Sequence, residues 1–220
     1  MAKVNQIYVG RTLARALARQ QEYELIDDQD SFVVRRELTA EANLLVSVWP
    51  YSNIVEDKIR VDVTLGLQYP ELQRLWNRLI EHEPEEPTAS WSVLTAQSSK
   101  WAPESTRERW CWSAQKVKLT CNTEVVASAL RDYGLPFCAG LEGVAPMAAA
   151  LKDDPGLSWS CDRSFLLPVA LLMTGKADEA RELAETAVAL LEAARPSVNR
   201  LYLDSYRRFA KNIGLLSAAN

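Results

Sequence analysis

Lys58–Leu67 reads KIRVDVTLGL, and its alternation decides the fold class. Ile59, Val61, Val63, Leu65 and Leu67 fall on one side of an extended chain, with Lys58, Arg60, Asp62, Thr64 and Gly66 on the other. A strand with one apolar and one polar face belongs to an antiparallel sheet covered on a single side. Parallel strands are covered on both sides and read as continuous apolar runs. Just upstream, Ser31–Leu38 (SFVVRREL) and Ala42–Trp49 (ANLLVSVW) are rich in β-branched and aromatic residues. Only Thr39, Ala40 and Glu41 separate them, which predicts a hairpin.

Working outward, Thr12–Gln21 predicts an opening helix with Leu13, Ala14 and Leu17 on one face and Arg11, Arg15 and Arg19 on the other. Pro70 opens a second helix over 71–80, with Leu72, Leu75, Trp76 and Leu79 as its apolar stripe. Glu81–Pro87 (EHEPEEP) reads as an exposed acidic loop holding the chain's single histidine, His82. Ser90–Gln97 and Glu108–Ser113 predict further strands, carrying Trp91 and the Trp110, Cys111, Trp112 triplet.

From Asn122 onward the apolar period changes from two to about 3.6 residues. Helices are expected over 123–133, 146–152, 164–174, 178–194 and 198–216, with Gly134 stopping the first. The last places Tyr202, Tyr206, Phe209, Ile213 and Leu216 on one side. The expectation is therefore an α+β protein: a mainly antiparallel sheet in the N-terminal half packed with a C-terminal helical layer. At 220 residues the chain is read as one domain, 1–220, strand-rich over 1–115 and helical over 116–220.

A net charge of −4 gives no bulk electrostatic support for tracking phosphates, which argues against a nucleic-acid partner. No apolar run of about 18 residues occurs, and the N-terminus has no apolar signal core, so a cytoplasmic protein without a membrane partner is expected. Cys111, Cys121, Cys138 and Cys161 are spaced by 10, 17 and 23 residues, which matches no zinc-ligand pattern. Buried free thiols are the corresponding expectation, Cys111 among them between its two tryptophans.

The segment ALLMTGKADEARELAETAVALL, with Gly175, Ala180 and Ala187 at small-residue positions, resembles one tetratricopeptide unit. A single copy cannot build a solenoid, so it is read as a helix hairpin. Over its full length the chain resembles a poorly characterised family of bacterial α+β proteins found around toxin, immunity and defence genes. The likeness lies in the leading helix, FVVRREL, LLVSVW, IRVDVTLGL, the Trp110 and Trp112 region, the GLPF turn at Gly134–Phe137, and MTGKADEA. That resemblance implies a non-enzymatic protein that binds and neutralises a cytoplasmic toxin.

No nucleophile elbow, phosphate loop, dinucleotide fingerprint or H-E-x-x-H motif is present, and no cofactor is expected. One catalytic constellation competes: Glu56 and Lys58 as E-x-K, with Asp62 along the same strand, is the kind of set with which metal-dependent nucleases hold Mg²⁺ through acids such as Glu56 and Asp62. The plainer reading is a charged turn leading into a half-exposed strand. For protein binding the candidates are the carboxylates Glu81, Glu83, Glu85 and Glu86, facing a basic partner, with Trp91 and Trp101 as aromatic anchors. Trp49, Trp110 and Trp112 stand near strand ends as well. A third reading makes the Gly175 hairpin an adaptor for an extended peptide. The oligomeric state is left open.

Overall fold

A computed structural model describes residues 2–20, 22–28, 31–53, 57–81, 92–113, 123–157, 160–193 and 200–218. The chain is α+β, with an antiparallel sheet in the N-terminal half and helices in the C-terminal half. It divides into two compact units. The first comprises Met1–Gln68 and Ala89–Ala139, the second Tyr69–Thr88 and Gly140–Asn220.

The first unit begins with α1 (Ala2–Ala18), longer than its apolar stripe suggested, and continues into β1 (Glu24–Asp28), β2 (Ser31–Glu37), β3 (Asn43–Asn53) and β4 (Lys58–Gln68). Each strand pairs antiparallel with the next. The β2–β3 turn is closed by Thr39, whose Oγ1 accepts from the backbone N–H groups of Glu41 and Ala42 at 3.2 Å each. Two short strands share the far edge of β4: β5 (Leu94–Ala96) lies against Leu65–Leu67, and β6 (Cys111–Ser113) against Lys58–Arg60. The alternation in β4 holds. Ile59, Val61, Val63, Leu65 and Leu67 are buried, whereas Arg60, Asp62 and Thr64 are half-buried and Lys58 is exposed.

Helix α1 packs on the β1–β3 hairpins and buries Val9, Leu13, Ala14 and Leu17. It runs straight through Gly10, where a Cβ would come within 2.4 Å of the Phe32 ring. β1 was not evident in the sequence because its acidic residues disguise it. It is an edge strand, and Glu24 forms a 2.5 Å ion pair with Arg35 directly opposite.

The strand expected to end at Trp49 continues to Asn53. Pro50 is tolerated because β2 pairs with β3 only over Asn43–Ser47, so the N–H that proline lacks would have met no ladder partner. Its cross-strand neighbour Val61 directs its own N–H away from β3, to the carbonyl of Trp110 at 3.0 Å.

Between β5 and β6 run the short helices α3 (Ser98–Trp101) and α4 (Glu104–Arg107). After β6, α5 (Glu124–Ala129) leads through a π turn, Leu130–Gly134, into α6 (Leu135–Cys138). This corrects the stop expected at Gly134, which is helical at φ −68 and ψ −50. The wide turn hydrogen-bonds the N–H of Leu135 to Leu130 O and lets the helix absorb Pro136. Gly134 is closely surrounded: a Cβ would sit 3.2 Å from Leu130 Cδ2 and 3.4 Å from both Leu65 Cδ1 and Trp101 Cζ3, so a side chain there would ask Leu130 to give by a few tenths of an ångström.

The second unit contains α2 (Pro70–Leu79), α7 (Val144–Asp153), a 3₁₀ turn (Pro155–Leu157), α8 (Ser160–Met173), α9 (Ala177–Ala193) and α10 (Arg200–Ala218). The buried face of α2 is rotated from the expected stripe. Leu72 and Leu79 are buried, but Gln73 and Asn77 are buried with them, while Leu75 and Trp76 are half-buried. The carbonyl at the end of α2, on Leu79, accepts from Asn212 Nδ2 at 2.9 Å.

The hairpin between α8 and α9 turns at Gly175, φ +78, with the N–H groups of Lys176 and Gly175 reaching back to Leu171 O (2.9 Å) and Leu172 O (3.1 Å). This is the Schellman pattern, which requires a left-handed residue at that position. Phe165 on α8 packs on Tyr206 and Phe209 of α10, with ring centroids 4.4 and 5.0 Å away, and on Trp76 of α2 at 6.3 Å. Tyr206, Phe209 and Ile213 are buried as expected, but Leu216 is 41% exposed. Among the described residues, no helix is long and apolar enough to cross a membrane.

Candidate functional site

Strand alternation puts Trp49 and Tyr51 on the same side of β3, about 7 Å apart along the strand. Both are large and exposed, at 56% and 49%. Directly opposite on β4 stand Asp62 and Arg60, and Arg60 is in turn opposite Cys111 of β6. Opposed residues of an antiparallel ladder share a face. The open side of the sheet therefore carries a row Tyr51, Arg60, Cys111 next to a pair Trp49, Asp62. Cys111 is half-buried, contrary to the burial expected from its neighbours, because alternation turns Trp112 inward and Cys111 outward. Cys111 and the buried Cys138 are free thiols.

Beside this row lies a cleft of about 350 Å³, lined by Tyr51, Arg60, Asp62, Ser98, Glu104, Arg107 and Glu108, with Trp110 in its wall. The segment that forms the far wall is pinned by two tryptophans. Trp101 and Trp110 are 6% and 1% exposed, and their rings lie 5.6 Å apart. With both rings inward, α4 and Glu108 are left at the surface. Asp62 Oδ1 accepts from the N–H of Val63 at 2.9 Å and from the hydroxyl of Ser98, which ties β4 to α3. Arg107 donates from Nε to Ala102 O at 3.2 Å. Among the described residues, Glu104 and Glu108 form no ion pair.

The residues singled out in the sequence fall differently. Trp101 is a core residue and has almost no surface to offer a partner. Glu81 is exposed, in a left-handed conformation at φ 58, just after α2. Glu83, Glu85, Glu86, His82 and Trp91 lie outside the described residues, as does Glu56. Lys58 and Asp62 share a strand face but are four residues apart, about 13 Å, so they do not converge. Among the described residues, no group of three His, Cys, Asp or Glu could hold a metal ion.

In the second unit a smaller groove of about 280 Å³ lies between α8 and α9, lined by Leu167, Pro168, Leu183, Ala187 and Leu190. Leu190 is 67% exposed. On α9, Ala180 and Ala184 are buried.

No protein-family model, no curated protein and no solved structure matches this chain.

Proposed function

We propose that this chain is a non-enzymatic protein-binding protein and that its partner docks on the open face of β3 and β4. One observation carries the reading: Trp49 and Tyr51, two residues apart on one strand paired along its length with β4, are both about half exposed. Exposed aromatic side chains held by a strand lose little conformational entropy on binding, and tryptophan and tyrosine are enriched among residues that dominate interface energies. The flanking Arg60, Asp62, Glu104 and Glu108 supply the polar surround that such anchors have in interfaces.

In its finer form the proposal is an immunity-type inhibitor of a toxin with a basic surface. Glu81, Glu83, Glu85 and Glu86 would then steer the encounter by long-range attraction. Replacing these four by glutamine should slow association most at low salt and leave dissociation nearly unchanged. Replacing Trp49 and Tyr51 by alanine should speed dissociation instead, with thermal stability retained. A partner whose dissociation is unaffected by the Trp49→Ala, Tyr51→Ala variant would count against the docking face. The second reading, a helical adaptor, draws on the exposed Leu190 in the α8–α9 groove, and Leu190→Glu would then be the variant that releases the partner.

A further inference from the structure

The cleft beside Tyr51, whose lining the proposed docking face shares, has a chemistry of its own. Its volume of about 350 Å³ falls in the range of small-molecule sites. Charges of both signs line it, the guanidinium groups of Arg60 and Arg107 and the carboxylates of Asp62, Glu104 and Glu108, so carboxylates are one in excess. Two of these groups are held in place. The Nε of Arg107 is committed to Ala102 O, which fixes the plane of the guanidinium and leaves both Nη groups, a fork that matches a carboxylate. Oδ1 of Asp62 is committed to Ser98 and Val63, which leaves Oδ2 as a fixed acceptor. Glu104 and Glu108 stand exposed nearby, in no ion pair among the described residues.

A simple anion would meet three carboxylates here, and a simple cation would leave the Arg107 fork unmatched. A ligand that carries one carboxylate and two cationic groups satisfies both. We propose that the cleft is a binding site for a free basic amino acid. The ligand carboxylate pairs with the Nη groups of Arg107, its α-ammonium with Asp62 Oδ2, and its side-chain cation with Glu104 and Glu108. Because the fork and Oδ2 are already oriented, little side-chain entropy is lost on binding.

The test is calorimetric titration of the full chain with L-arginine, with agmatine, which is arginine lacking the carboxylate, and with glucose. L-Arginine should bind, and agmatine should bind at least tenfold more weakly, the equivalent of about 1.4 kcal/mol or more. Arg107→Met should remove the difference between L-arginine and agmatine, and Glu108→Gln, at an exposed site outside the Asp62–Ser98 tie, should weaken both. Thermal unfolding of each variant confirms that it is folded. Absence of L-arginine binding at millimolar concentration, equal binding of agmatine by the unaltered chain, or preferential binding of glucose would overturn the proposal.

Discussion

The hydroxyl of Tyr206 on α10 donates to the backbone carbonyl of Ser164 on α8. Within an α-helix that carbonyl would accept from the N–H of residue 168, which here is a proline inside α8. A fully buried tyrosine thus supplies a donor that the helix itself withholds. Tyr206→Phe should cost about 1 kcal/mol, the range for a lost hydrogen bond at a partly covered carbonyl. Restoring the helical donor with Pro168→Ala in the Tyr206→Phe background should recover part of that loss in a denaturant-unfolding cycle. Simple additivity of the two changes would show that the carbonyl is not what links them.

Gly10 sets two effects against each other. Alanine is favoured over glycine inside a helix by about 0.8–1 kcal/mol. A Cβ at this position, however, would lie 2.4, 2.5 and 2.7 Å from three atoms of the Phe32 ring, and overpacking of that kind costs about 1–3 kcal/mol. Gly10→Ala should therefore be net destabilising, and combining it with Phe32→Leu should turn it neutral or favourable. Equilibrium unfolding of the two variants decides the sign.

Tyr23 is buried beside Arg36, whose guanidinium carbon lies 5.8 Å from the ring centroid. Burial, the larger influence, raises the phenol above its ordinary value of 10.0, and hydrogen bonding to Arg36 opposes the rise. A raised value means the folded state holds the proton more tightly. The contribution to stability is complete below pH 10 and is lost as pH climbs through the higher folded-state value. Stability measured across alkaline pH should fall more steeply for the unaltered chain than for Tyr23→Phe, with the two curves parallel at neutral pH. Parallel curves throughout would contradict the shift.

A fragment ending at residue 115 should not fold with a sharp thermal transition. It lacks α5 and α6, against which Leu65 and Trp101 pack through Gly134. It also retains α2, whose Trp76 packs on Phe165 and whose Leu79 carbonyl accepts from Asn212. Cooperative melting of that fragment would show that 1–115 is self-sufficient.

Much of the fold was legible because burial follows periodicity where one face is plainly apolar. The β4 alternation and the Leu13, Ala14, Leu17 face of α1 are of that kind. Misreadings arose where a residue does something other than its usual task. Gly134 continues a helix rather than ending it, and Gln73 and Asn77 are buried polar residues that rotate the face of α2. The candidate site was harder to read. Which of several tryptophans is exposed depends on what covers each face, and nothing local distinguishes Trp49 from Trp101. Glu104, Arg107 and Glu108 carry no motif in the sequence, and it is the folding of α3 and α4 that brings them beside Arg60 and Asp62.

The claim that the β3–β4 face is where a partner docks is tested most directly by placing a photo-crosslinking amino acid at position 51 in the source cell. An exposed position on α1, Arg11, serves as the control on the same unit. The account predicts a discrete protein adduct from position 51 that is lost when Trp49→Ala is added, and no such adduct from position 11. The same adduct from both positions, or an adduct from position 11 alone, would contradict it.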